Sequence, residues 1–257
     1  MTHPLLFSRA DGIATLQFNR PAQLNALDVP TAQALLAAVQ EIAADRSVRA
    51  VLLKGAGRAF VAGGDLATLQ ANPVQGAQDL LEPLNAAVTL LHGLDAPVIA
   101  QVHGAAAGAG LSLMLMCDFV LAAEGTKFNL AYINLGTSCD LGASWALPRL
   151  VGLRQALAIA LLGEGFDAAE ALRLGVANKV VPLAQLDAAV DALVGRILRG
   201  PKEAYAEMKR LLNQSPDQSL DAQLQLEAEA FARCAARPDF DEGIGAFLEK
   251  RKPRFNG

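Results

Sequence analysis

The sequence predicts an α/β fold to about residue 195, followed by a helical segment. Three observations carry this expectation. Strand-length apolar runs alternate with helix-length amphipathic stretches through the first, longer part of the chain. Two glycine-rich loops, Phe60-Val-Ala62-Gly63-Gly64-Asp65-Leu66 and Gly104-Ala-Ala-Ala-Gly108-Ala109-Gly110, each follow a strand-like run and open a helical one. From Leu183 onward only helical patterning remains, with stops at Gly200-Pro201 and Ser215-Pro216. Residues 1–195 therefore read as the core with the site, and residues 196–257 as a helical oligomerisation domain.

The elements follow in order. Ile13 to Phe18 alternates like a half-buried strand, and Asn19-Arg20-Pro21 ends it. Asp28 is placed to cap a helix reaching about Asp45, with Leu35, Leu36, Val39 and Ile42 on one face. Val48 to Leu53 reads as a buried strand leading to the first glycine loop and a short helix. Asn72 to Ala77 reads as a mobile loop, and Leu80 to Leu94 as a helix bent at Pro83. Val98 to Val102 reads as a strand feeding the second glycine loop. Phe119 to Ala122 and Lys127 to Leu130 read as short strands. Leu147 to Leu162 reads as one helix, Asp167 caps another, and Asn178 to Val181 is the last strand.

Composition sets limits on function. The chain has 257 residues, 53% of them apolar and only 5% aromatic, which suits helices packed closely on a sheet. A net charge of −4 gives no global attraction for nucleic acid or an anionic membrane, so neither is expected as a partner. Residues 98 to 123 are long enough to span a membrane, but Gln101, His103, Ser112, Cys117 and Asp118 interrupt them. The first residues lack a signal-peptide pattern. The three cysteines have no C-x-x-C spacing, which fits reduced thiols and a cytoplasmic location. No metal-ligating cluster is expected. The basic run Lys250 to Arg254 is either solvated or meets an anionic ligand.

The glycine loops carry the chemistry. Small residues let a ligand carbonyl approach the main chain, and a helix start points free N–H groups at it. Two such loops suit a two-pronged hole for an oxyanion, where fixed donors are worth several kcal/mol in a transition state. Close packing alone is the other reading of such loops. The G-x-G-x-x-G spacing of a dinucleotide site is absent, and no Gly-Lys-Ser/Thr follows as in a phosphate loop.

The series Asn19-Arg20-Pro21, Asn25-Ala26-Leu27, Ala59 to Leu66, Gly104 to Asp118 and Glu249 to Phe255 resembles the crotonase, or enoyl-CoA hydratase/isomerase, superfamily over nearly the whole chain. That resemblance implies a spiral of ββα units with a C-terminal helical trimerisation domain. It implies an acyl-CoA thioester substrate, with no cofactor beyond the coenzyme A of the substrate, and a homotrimer or hexamer. The two oxyanion N–H groups fall on Gly64 and Ala109. Asn25, Ala26, Leu27, Ala62, Gly63, Asp65, Leu66 and Gly108 fall around the acyl-CoA, and Ser112, Tyr132 and Trp145 fall around the acyl group. Phe247 and Lys250 match positions that reach CoA from a neighbouring subunit.

The departures from the family pattern bear on the reaction. The two glutamates of the hydratases fall on Ser112 and Tyr132, and neither is a carboxylate base. Asp140 stands instead where the single-carboxylate enoyl-CoA isomerases carry their base. One base suffices to move a proton from C2 to C4, and an apolar pocket would raise its pKa. This makes Asp140 the expected acid/base of a 3-enoyl to 2-enoyl isomerase. Four alternatives stand beside it: a cap on the helix near Gly142, a hydratase, an aspartate-nucleophile dehalogenase or hydrolase, and a non-catalytic acyl-CoA binder. The nucleophile reading needs a histidine, and the chain offers His3, His92 and His103. Asp65 reads as a helix cap and Asp118 as structural.

Overall fold

The computed structural model of the chain describes residues 3–255. Strands β1 (Leu5–Ala10) and β2 (Ile13–Phe18) form an antiparallel hairpin. Asp11 and Gly12 make its turn with φ of 51° and 79°, the geometry a tight Asp-Gly hairpin requires. Strand β1 is additional to the elements expected from the sequence, although the Asp11-Gly12 dipeptide is a hairpin signal. Helix α1 (Val29–Ala44) starts as expected: the Asp28 carboxylate accepts the Thr31 N–H at 2.9 Å. Strand β3 (Ala50–Gly55) then pairs parallel with β2.

Helix α2 (Leu66–Ala71) follows the first glycine loop, and α3 (Pro73–Gly93) begins two residues later. The mobile loop expected over Asn72 to Ala77 is therefore corrected. Asn72 is the N-cap, and Pro73 is preset for a first helical turn where its missing N–H costs nothing. Strand β4 (Val98–Val102) is buried along its whole length. Ala105–Ala107, expected as part of a loop, is strand β5. It leads to α4 (Ala109–Leu115), β6 (Phe119–Ala123) and β7 (Lys127–Asn129).

The single helix expected over Leu147 to Leu162 is two, α5 (Ala143–Val151) and α6 (Leu153–Leu162). Gly152, at φ 78° and ψ 153°, breaks them. Then come β8 (Phe166–Asp167), α7 (Ala168–Arg173), capped by Asp167, and β9 (Lys179–Val181). Helices α8 (Leu186–Leu198), α9 (Lys202–Gln214), α10 (Leu220–Ala235) and α11 (Pro238–Leu248) complete the chain.

A six-stranded sheet, ordered β1-β2-β3-β4-β6-β9, is parallel except for its β1 edge. A small second sheet runs β5-β7-β8. Side-chain alternation splits the interior in two. Val51, Leu53, Val98, Ala100, Val120 and Ala122 face the large core with α1, α3 and α4. Ala50, Leu52, Ile99 and Leu121 face Val190, Val194 and Ile197 of α8. Residue 195, where the helical segment was expected to begin, lies within α8, which packs on this face of the sheet. Asp118 ties the later helices down: its carboxylate accepts the Val98 N–H at 2.7 Å and the Lys209 ammonium at 2.6 Å. No helix among the described residues is long and apolar enough to cross a membrane.

Glycine at position 110 is demanded by packing. A Cβ there would lie 2.0 Å from the Val61 carbonyl oxygen, whereas one at Gly93 would meet nothing. Gly110→Ala should lower the unfolding free energy by about 1–3 kcal/mol in urea melts. Gly93→Ala should leave it within about 1 kcal/mol or raise it slightly. Equal effects of the two changes would contradict this packing.

Candidate active site

The first loop hangs on two polar side chains. Leu24 and Asn25 adopt left-handed φ of 53° and 60°, turning the chain back beneath the loop. Asn25 is buried. Its amide donates to the carbonyls of Ala56, Ala59 and Phe60 at 2.8–3.0 Å, and its oxygen accepts the Arg20 N–H at 2.9 Å. The Arg20 guanidinium donates to the Ala26 carbonyl and lies 3.1 Å from Asp28 and 3.0 Å from Asp65. Asp65 also caps α2, accepting the Ala67 N–H at 3.2 Å. One guanidinium thus joins the caps of two helices. Nothing in the spacing of Arg20 announces this, because its partners lie up to 45 residues away.

This strapping orients Gly64. The Leu27 N–H donates to the Gly63 carbonyl, and the Asp65 N–H to the Leu27 carbonyl, both at 2.8 Å. In such a parallel bridge the bracketed residue, here Gly64, turns its own N–H away from its partner. The second loop lies against the first. Val61 bridges to Ala106, and its carbonyl accepts the Ala107 N–H at 3.0 Å. A Cβ on Gly108 would sit 3.5 Å from the Gly63 Cα, so the two loops face each other across the width of a single side-chain atom. Gly108 holds φ 48° and ψ −125°, and its N–H donates to the Asn129 carbonyl at 2.9 Å. Ala109 is the first residue of α4, so its N–H has no acceptor within the helix. Among the described residues neither the Gly64 nor the Ala109 N–H has a protein acceptor. Each donor follows by one residue the glycine at which the loops meet.

A chain of side chains lies one turn further along α4. Ser112 is fully buried, and its hydroxyl is 2.9 Å from the Tyr132 phenol oxygen. Tyr132 opens a 3₁₀ turn (Tyr132–Leu135) and donates its phenol proton to Asp140 Oδ1. Asp140 precedes α5, whose N-cap Gly142 has φ 82° and no side-chain cap. The carboxylate of Asp140 therefore does not cap that helix; only its backbone carbonyl serves there, accepting the Ala143 N–H at 3.1 Å. Burial raises the Asp140 pKa, and the Tyr132 bond opposes the rise. Burial, with the neighbouring Asp140 charge, pushes the Tyr132 phenol up, so it remains protonated as a donor.

The other expected site residues are placed less uniformly. Ala62, Gly63, Gly64, Asp65 and Leu66 form the first loop and the start of α2, and Ala26 lies beside them through the Arg20 bond. The side chains of Asn25 and Leu27 are buried, and the Asn25 amide bonds to the carbonyls of the loop. Trp145 turns toward a different place. It packs edge-on against His92, ring centroids 5.2 Å apart, with the Arg149 guanidinium 4.2 Å from its centroid. These three border a cavity of about 710 Å3 with Met116, Asp118 and Lys209. Its lining meets α4 at the opposite end from Ala109, roughly 10 Å along the helix.

Phe247 and Lys250 lie exposed at the end of α11 and are not brought to this group within one chain. Neighbouring Arg251 is occupied by Glu242 and Glu249, both at 2.6 Å, and holds the Glu242 carboxyl down at about 2. His103 bonds the Gly57 carbonyl at 2.8 Å, so neither it nor His92 is paired with Asp140. The cysteines are unpaired, and no metal-holding cluster exists among the described residues.

Residues 8–257 match the family model described as enoyl-CoA hydratase/isomerase. The chain belongs to the enoyl-CoA hydratase/isomerase, or crotonase, family. It is 36% identical to a probable enoyl-CoA hydratase of Rhodobacter capsulatus over 99% of this chain and 98% of that protein. It is 37% identical to the 1,2-epoxyphenylacetyl-CoA isomerase of Escherichia coli over 96% of this chain and 95% of that one. A crystal structure of a putative enoyl-CoA hydratase/isomerase from Mycobacterium abscessus superposes with a TM-score of 0.94 at 34% identity, covering 98% of this chain and 99% of the other. The α/β fold is therefore that of the crotonase family, and the chain is an acyl-CoA enzyme of that family. Relatives named hydratase and isomerase both occur.

Proline at position 109 tests the second donor. It deletes that N–H at a first-turn position, where proline fits. Gly108 before it sits in the mirror image of the extended region, which a glycine can keep before proline. Ala109→Pro should fold and lose about 10²–10³ in turnover on its acyl-CoA substrate, while Ala109→Ser keeps the N–H and should lose much less. Equal rates of the two folded variants would leave the loop as packing alone.

Proposed function

We propose that this enzyme moves a double bond in an enoyl-CoA from the 3- to the 2-position. The carrying observation is that Asp140 is the one carboxylate in the Ser112–Tyr132–Asp140 chain, with no imidazole beside it. A thioester enolate forms when Asp140 removes a proton from C2. The electron pair delocalises onto the thioester oxygen and through the former C3–C4 double bond. The N–H groups of Gly64 and Ala109 stabilise that oxyanion, and Asp140 returns the proton to C4. The new double bond lies between C2 and C3, and no proton, water or electron is gained or lost overall. A raised carboxyl pKa suits a group that must both take and give a proton.

Other readings have less support. Hydration needs a second group to activate water, and Ser112 and Tyr132 cannot serve as carboxylate bases. Displacement by an aspartate nucleophile needs a histidine beside Asp140. A non-catalytic binder leaves the ionisable Asp140 unexplained. We also propose a homotrimer or hexamer. Leu220, Leu224, Phe231, Phe247 and Leu248 are exposed on α10 and α11, more apolar surface than a monomer gains by leaving in water.

Incubation with 3-enoyl-CoA and, separately, with crotonyl-CoA, followed by mass analysis, tests the reaction. The first should be converted without mass change. Asp140→Asn should lower that turnover by roughly 10²–10⁴ with KM within a few-fold. Turnover of crotonyl-CoA to a hydrated product in the ordinary range of about 1–10³ per second would sink the isomerase reading. With a base whose pKa is raised, kcat should fall with decreasing pH at values above the usual carboxylate range. Sedimentation giving a stable monomer would refute the assembly.

A further inference from the structure

Proton transfer to two different carbons asks a carboxylate to stay in one place while its charge changes. Asp140 sits between α4 and α5 on a segment with no helical hydrogen bonding of its own. One side-chain bond restrains it: the phenol of Tyr132 donates to Oδ1. Among the described residues Oδ2 has no donor and is left for the substrate. Tyr132 is itself restrained at three points. Its ring is 9% exposed within the large core, Ala131 before it is fixed in a left-handed conformation, and Ser112 meets its oxygen.

The polarity of this chain is determined. A phenol has one proton, and an ionised carboxylate can only accept. Tyr132 must therefore give its proton to Asp140, and the Ser112 hydroxyl must give its own to Tyr132. The longer contact of that hydroxyl with the Gly108 carbonyl, 3.3 Å, is the weaker option. Donors arranged in series strengthen one another. Ser112 stands one helical turn beyond Ala109, so the chain fixes the carboxylate relative to the oxyanion donor through a single rigid helix.

We propose that Tyr132 is the positioning residue of the site: with Ser112 behind it, its phenol holds one oxygen of Asp140 so that the other is presented to both carbons. This rests on Asp140 being the base of the reaction. The bond favours the charged carboxylate, so its loss must raise the carboxyl pKa further. Burial and Tyr132 are the influences on that carboxyl; no cation and no second carboxylate from α4, α5 or the 3₁₀ turn acts on it.

The test compares wild type, Tyr132→Phe and Ser112→Ala by two readouts. The first is NMR titration of the Asp140 carboxyl in protein labelled with ¹³C-aspartate, the signal being assigned by its absence from Asp140→Asn. The second is the pH profile of kcat on 3-enoyl-CoA. In Tyr132→Phe the titration and the acid limb should move up together. Turnover on the acid side should fall about tenfold, and KM should stay within about threefold. Ser112→Ala keeps the phenol but removes its support, and should move both in the same direction by less. An Asp140 titration unchanged in Tyr132→Phe overturns the proposal whatever the activity. A titration that moves in a protein with no isomerase activity overturns the reading of the reaction and leaves the coupling of Tyr132 to Asp140 standing.

Discussion

The close approach of the second glycine loop to residues 58–61, just ahead of the first, is the constraint on which the site depends. Two peptide donors can serve one oxygen only if their chains approach more closely than side chains allow. That approach is written into the glycines. A Cβ at Gly104 would fall 1.9 Å from the Arg58 carbonyl oxygen, and one at Gly110 would fall 2.0 Å from that of Val61. No side chain can be fitted at such distances, so only glycine at 104 and 110 lets the second loop and α4 lie this close to residues 58–61. The donors are then fixed before any ligand arrives, the condition under which they contribute most to a transition state.

Holding loops of such small residues takes polar anchors nearby, since the loops bring little apolar area of their own. Asn25 meets the buried carbonyls of Ala59 and Phe60, each costing about 1–3 kcal/mol if left without a donor, and the half-buried one of Ala56. Arg20 joins the caps of α1 and α2 across the same turn. The Asp118–Lys209 pair does comparable work at the other end of α4. It is mostly buried, so its desolvation offsets much of its attraction. Its contribution is to register: it seats α9 on the end of β4 and fixes where the helical region leaves the core. These anchors are long-range, joining segments 45 and 91 residues apart.

Around Asp140, burial and hydrogen bonding act in opposite senses. Partial burial disfavours the charged carboxylate of Asp140, while the phenol favours it. A carboxyl balanced in this way can change charge at modest cost in either direction. Full burial without the phenol would leave it neutral and idle. Solvent exposure would leave it with the pKa of an ordinary carboxylate, below the raised value proposed to suit proton return.

The sequence by itself determined the layered α/β order, most of the strands and helix caps, and the two glycine loops, because these depend on local periodicity and on residues with narrow conformational roles. Asp28, Asp65 and Asp167 cap the helices that their spacing indicates. Its failures were local too. The hairpin at Asp11-Gly12, the helix start at Pro73 and the break at Gly152 were all carried by single residues outweighed by their flanks. What only the tertiary structure decided is which side chains meet. That Tyr132 donates to Asp140, that Ser112 backs it, that Asn25 spends its amide on the loop and that Trp145 turns to His92 follow from the packing of separate elements. The energy of those contacts depends on burial and distance across the fold, and neither is a property of spacing along the chain.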